Sequence, residues 1–126
     1  MIDHVSIAVT DLERADAFYT AVLAALGLAR LRAEERRVGY GKAYAEFWIN
    51  FRGGAHDEGD GRHVAFRASS IDAVDAFHRL ALANGGRDDG PPGFRDRGVG
   101  PNLYYAAFIR DADGNRIEVV TFVPPG

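Results

Sequence analysis

Apolar residues recur at every second position from Val5 to Val9, then at three-to-four spacing from Leu12 to Leu23. The first period predicts a half-buried strand and the second an amphipathic helix. The same switch recurs downstream, from Val64, Phe66 and Ala68 to Ile71, Val74 and Ala81. The two runs superpose at an offset of 59 residues, with His4 on His63, Asp16-Ala17-Phe18 on Asp75-Ala76-Phe77, and Gly27 on Gly86. Without a gap this gives eight identities over 24 positions, which marks an internal repeat. Each copy carries a hydroxyl three residues before an acid, Thr10 with Glu13 and Ser69 with Asp72, the spacing of a helix-capping box. Each helix is expected to stop at glycine, Gly27 in one copy and Gly85-Gly86 in the other. The buried stripes are expected to be Leu12, Ala15, Tyr19 and Val22, and Ile71, Val74, Phe77 or His78, and Ala81.

Strands follow each helix. In the first copy the candidates are Leu28 to Arg32, Val38 to Tyr40 and the aromatic-rich Ala43 to Phe51. In the second they are Leu103 to Arg110 and Ile117 to Val123, joined by a turn at Asp111-Ala112-Asp113-Gly114. The Gly-, Pro- and Asp-rich stretch from Asp88 to Asn102 reads as a long loop, in which Gly90 to Arg95 would form a lid. The pattern predicts an α+β protein made of two tandem βαβββ modules in one domain, residues 1–126. Module one covers about residues 1–52, a linker residues 53–61, and module two residues 62–126.

Composition narrows the function classes. Hydrophobic residues are 47% and charged residues 26%, a globular balance. The longest apolar run, Ala21 to Leu26, is too short to span a bilayer, so no membrane partner is expected. A net charge of −3 with interspersed signs argues against nucleic acid. There is no cysteine, hence no disulfide and no thiolate chemistry, and a cytoplasmic location without a leader is expected. His56, His78 and the acidic run Asp57-Glu58-Gly59-Asp60 read as solvated surface.

Strand alternation sorts the remaining polar residues. Val5, Ile7 and Val9 take one face of the first strand and His4, Ser6 and Ala8 the other. In the repeat, His63, Ala65 and Arg67 share the face away from the helix. Glu46 and Glu118 each stand as a lone acid in the last strand of a module, between apolar neighbours. A carboxylate there needs a cation, a donor or water.

The motifs Asp3-His4-Val5, Arg62-His63-Val64-Ala65-Phe66 and Asp111-Ala112-Asp113-Gly114-Asn115-Arg116-Ile117-Glu118 resemble the vicinal oxygen chelate superfamily. That group includes glyoxalase I, extradiol dioxygenases, fosfomycin-resistance transferases and bleomycin-resistance proteins. The resemblance implies a curved, cup-shaped mixed sheet with helices on its outer face and one divalent metal in the cup. It carries the metal-ligand role onto His4, Glu46, His63 and Glu118, a set that the internal repeat matches pairwise. Two imidazoles and two carboxylates suit Zn²⁺, Ni²⁺, Fe²⁺ or Mn²⁺. Glu118 or Glu46 would then be the catalytic base for a proton next to a carbonyl. Ser6, Trp48, Arg67 and Tyr105, the last in competition with Tyr104, are the expected substrate-pocket residues.

The implied function is a glyoxalase-like metalloenzyme, a lyase or isomerase acting by proton transfer on a small oxygen-rich substrate. A metal-free drug or metabolite binder is the competing reading, and an extradiol-type dioxygenase with Glu46 uninvolved is a third. A homodimer is expected because short modules leave sheet edges to cover. The metal site lies within one chain or between two.

Overall fold

The computed structural model describes residues 1–53, 62–96 and 100–126. The expected linker falls largely outside these residues, as do His56 and the acidic run beside it. The first unit runs β1 (Val5–Val9), α1 (Leu12–Ala24), β2 (Ala29–Ala33), β3 (Arg37–Gly41) and β4 (Ala45–Phe51). The second runs β5 (Val64–Arg67), α2 (Ile71–Ala83), β6 (Arg87–Arg95), β7 (Leu103–Arg110) and β8 (Arg116–Val123). Each unit makes its own four-stranded mixed sheet, in the orders β1-β4-β3-β2 and β5-β8-β7-β6. In both, the first strand pairs in parallel with the last, Val5 with Phe47 and Val64 with Ile117. The architecture is the expected tandem βαβββ arrangement of the α+β class.

Two local expectations are corrected. Both helices are capped one residue later than the hydroxyl–acid spacing suggests. Asp11 accepts from the Arg14 amide and Ser70 from the Ala73 amide. Thr10 is free for another task because Asp11 takes the cap. The Asp88–Asn102 stretch is not a plain loop, and residues 90–95 are not a lid: they lie in β6, paired to β7. This strand tolerates Pro91 and Pro92 because it is a sheet edge with a free side. Its register slips between Asp88 and Gly90 and again between Gly90 and Gly93. Gly90 has φ 147°, and a Cβ there would come within 3.0 Å of Phe108.

The helix faces of the two sheets share one core. Phe18, Tyr19, Val22, Leu23 and Phe47 from the first unit pack in one cluster with Val74, Phe77, Ile109 and Val119 from the second. Phe47 and Phe66 meet edge to face at 4.9 Å across the junction. His78, expected on the helix surface, is instead buried, with its Nε2 2.8 Å from Asp88 of β6.

The turn from Asp111 to Asn115 locks the units together. Asp111 is buried and its carboxylate accepts from the Tyr19 hydroxyl at 2.6 Å, from the amides of Asp113 and Asn115, and from the Asn115 side chain. Burial pushes the Asp111 carboxyl up from its ordinary value and the Tyr19 hydroxyl well above 10. Asn115 also donates to the Ala8 carbonyl at 2.9 Å. Asp113 accepts from both the amide and the hydroxyl of Thr10, at the end of β1. Gly114 closes the turn at φ 86°. No helix among the described residues is long and apolar enough to cross a membrane.

Replacing Asp111 with Ala strands the Tyr19 hydroxyl and two amides without an acceptor. Urea denaturation should show a stability loss of about 3 kcal/mol. A loss near zero would mean that the turn does not hold the units together.

Candidate functional site

With one face of each sheet committed to the shared core, the other is left open. Register places Ser6, Trp48 and Gly39 together on the open face of the first sheet. Ala65, Glu118 and Phe108 share that of the second, with Arg67, Val120 and Ala106 beside them. His63 Nε2 lies 3.2 Å from Glu118 Oε1, with the imidazole half-exposed and the carboxylate buried. Tyr104 donates its hydroxyl to the other oxygen, Glu118 Oε2, in a short hydrogen bond. The lone acid of β8, a carboxylate 2% exposed, thus has a donor on one oxygen and the His63 ring beside the other.

The first unit holds the matching pair in a different state. His4 Nδ1 is 2.8 Å from Asp3, whose carboxylate also accepts from the Tyr44 hydroxyl. The bond to His4, then that from Tyr44, holds the Asp3 carboxyl below its usual value. This bond fixes the ring and leaves Nε2 for another partner, as a carboxylate behind a ligating histidine does. Glu46 is exposed and lines, with Asp3 and His4, a cleft of about 200 Å³ against Ala65 and Phe66. Ser6 and Ala8 line a second cleft of about 360 Å³ with His63 and Asn115.

His4 thus shares its cleft with the middle of β5, and His63 shares a separate one with the middle of β1. Each carboxylate stays with its own histidine's strand pair. Among the described residues no three ionisable ligands gather at a point. The described residues present the four as two half-sites, His4 with Glu46 lining one cleft and His63 beside Glu118.

The pocket residues divide in the same way. Trp48 lies flat on its own sheet, against Gly39, where a Cβ would come within 2.9 Å of the indole. The Arg37 guanidinium covers the ring at 4.2 Å. Arg67 lies over Phe122 at 4.5 Å. Tyr105 is a correction: it is on the helix face and donates to Asp75 of α2 at 2.7 Å. Tyr104 takes the open face instead, because alternation along β7 admits only one of the two. The bond to Asp75 pushes the Tyr105 hydroxyl up to about 12.

The model of the glyoxalase/bleomycin resistance protein/dioxygenase superfamily matches residues 1–119. Among solved structures, a glyoxalase/bleomycin resistance protein from Albidiferax ferrireducens T118 is 38% identical, with a TM-score of 0.84, covering 94% of this chain and 97% of that one. A family enzyme from Burkholderia phytofirmans PsJN aligns with a TM-score of 0.75 at 17% identity, covering 97% and 98% of the two chains. The genomically encoded fosfomycin resistance protein of Listeria monocytogenes aligns at 0.67 and 19%, covering 96% and 92%. These last two likenesses show the fold alone. No curated protein matches the chain.

The raised Tyr105 hydroxyl sets an alkaline limit. Its proton is held more tightly in the folded chain than in the unfolded one, so its contribution to stability is complete below about pH 10 and is lost as pH rises towards 12. Denaturation midpoints measured across that range should fall more steeply for the native chain than for Tyr105→Phe. Parallel curves would rule out the Tyr105–Asp75 bond as the cause.

Proposed function

The chain belongs to the glyoxalase/bleomycin resistance protein/dioxygenase superfamily, and from that membership we propose a glyoxalase-like metalloenzyme whose site is completed by a second copy of the chain. The observation that carries this reading is the duplicated histidine–glutamate pair on faces the core leaves open. Each half-site supplies two donors, short of the three protein ligands that a catalytic metal centre uses. Pairing module one of one copy with module two of another supplies His4, Glu46, His63 and Glu118 together. That donor set fits a first-row divalent ion such as Zn²⁺, Ni²⁺, Fe²⁺ or Mn²⁺, the two carboxylates balancing its charge. The chemistry such an ion supplies is stabilisation of an oxyanion on a substrate with neighbouring oxygens.

The proton work falls to the chain's own groups. Glu118 is the base, since the buried site strips water from its carboxylate and Tyr104 and His63 orient it. It takes a proton from carbon beside a carbonyl and returns it to the neighbouring position, in isomerase or lyase chemistry. Glu46, on the cleft of His4, is the second candidate for this role. Ser6 and Trp48 lie side by side on the same face of the first sheet. A second reading has one observation in its favour: Glu118 already holds the Tyr104 hydroxyl on one oxygen and the His63 ring beside the other, with no ion between them. That is the state expected of a small-molecule binder of the bleomycin-resistance type. A dioxygenase would use His4, His63 and Glu118 and leave Glu46 free.

Complementation separates these readings. One chain carries His4→Ala and Glu46→Ala, the other His63→Ala and Glu118→Ala, and each alone should bind no first-row metal. Co-expressed as a mixed dimer, they should recover about one ion per dimer, half the native content, because one of two shared sites is intact. A site within one chain would recover none. Native protein that is monomeric, or that gains no thermal stability on titration with Zn²⁺, Ni²⁺, Mn²⁺ or Fe²⁺, would favour the binder.

A further inference from the structure

Arg67 stands on the open face of the second sheet, as the last residue of β5, where neighbouring positions of the face are Ala65 and Val120. Five described arginines pair with an acid: Arg30 with Asp16, Arg32 and Arg37 with Glu34, and Arg110 and Arg116 with Asp89. The Arg67 side chain makes one described contact, its guanidinium lying over the Phe122 ring at 4.5 Å. Among the described residues it has no carboxylate partner, although the chain holds 18 acidic residues against 15 basic ones.

Stacking on an aromatic ring fixes the plane of a guanidinium and leaves its N–H edge free. That edge matches the two oxygens of a carboxylate or phosphoryl group. The platform is itself held in place, because Tyr104 meets Phe122 edge to face at 5.3 Å. The same Tyr104 donates to Glu118, so a continuous path of contacts joins the Arg67 platform to the histidine–glutamate pair. Register sets the spacing. Arg67 opposes Val120, two residues along β8 from Glu118, or about 7 Å along the strand. Ala106 lies beside Val120 on β7 and leaves this part of the face shallow.

We propose that Arg67 is the anion-recognition residue of this face, binding a carboxylate or phosphoryl group on a small ligand whose body lies along Phe122 and Tyr104 towards Glu118. This deepens the proposed function by naming a substrate class, organic acids or phosphoryl compounds with an apolar body. It rests on that reading only for the chemistry at the other end. Anion binding itself requires no metal.

The test uses the full chain without added metal, titrated with phenylacetate, phenylphosphonate and the neutral methyl phenylacetate, and followed by NMR through the Arg67 Nε–H and the β8 amides. Both anions should shift these signals and weaken with added salt, whereas the ester should not bind. The stronger of the two anions identifies the group preferred. Arg67→Gln should weaken anion binding by about tenfold or more, and Arg67→Lys by less, since it keeps the charge and loses the fork. Phe122→Leu, which keeps the arginine, should weaken it by a smaller factor. Anion affinity unchanged in Arg67→Gln, shifts that fall on other arginines, or no binding to the native chain would each overturn the proposal. Binding that survives in His63→Ala, in a protein that takes up no metal, would leave Arg67 its role and remove the metalloenzyme reading.

Discussion

A single buried carboxylate organises this molecule. Asp111 sits where the second module meets the first, and four donors converge on it, one from α1 of the other module and three from its own turn. A charge so buried is tolerable only when hydrogen-bonded, and these donors are in place only when the two modules are docked. Thr10 and Ala8 are bound by the next residues of the same turn. The turn thus reports on the junction as well as linking two strands. It fixes which edge of one module lies along which edge of the other.

That docking decides the form of the site. The helix faces share one core, and each opposite face carries one histidine and one glutamate. The halves differ in how they are held at rest: His63 is tied to Glu118 directly, while His4 is tied to Asp3 and stands apart from any bond to Glu46. The duplicated modules have kept the donors and diverged in their supports. The second has built a tyrosine and a phenylalanine around its acid, and the first a tryptophan pressed beneath an arginine.

Much of this was legible in the chain, and the reasons are local. The repeat, the helices and seven of the eight strands follow from periodicity, because half-burial imposes it directly. Alternation placed His4, Ser6, His63, Arg67, Glu46 and Glu118 on the open faces for the same reason. β6 escaped because a bulged edge strand needs few of the residues that mark an interior one, and Gly90, Pro91 and Pro92 read as turn signals. The helix caps shifted by one residue because Thr10 has a tertiary partner that local spacing does not reveal. Tyr105 was assigned to the wrong face because two adjacent tyrosines offer alternation no anchor, and Asp75 supplies it only once α2 has packed. That the two histidines line different clefts depends on how the modules dock, which no pattern within either module encodes.

The two prolines of β6 bear on how the molecule behaves in a crowded solution. An uncovered strand edge invites pairing with its like, and chains joined that way grow into open-ended fibres. The kinked rim at Gly90 to Gly93 breaks the regular ladder such growth requires, and on the outermost strand of the other sheet Arg30 and Arg32 place charge where a neighbour would add. Both lateral routes by which further copies could add strand to strand are thereby blunted.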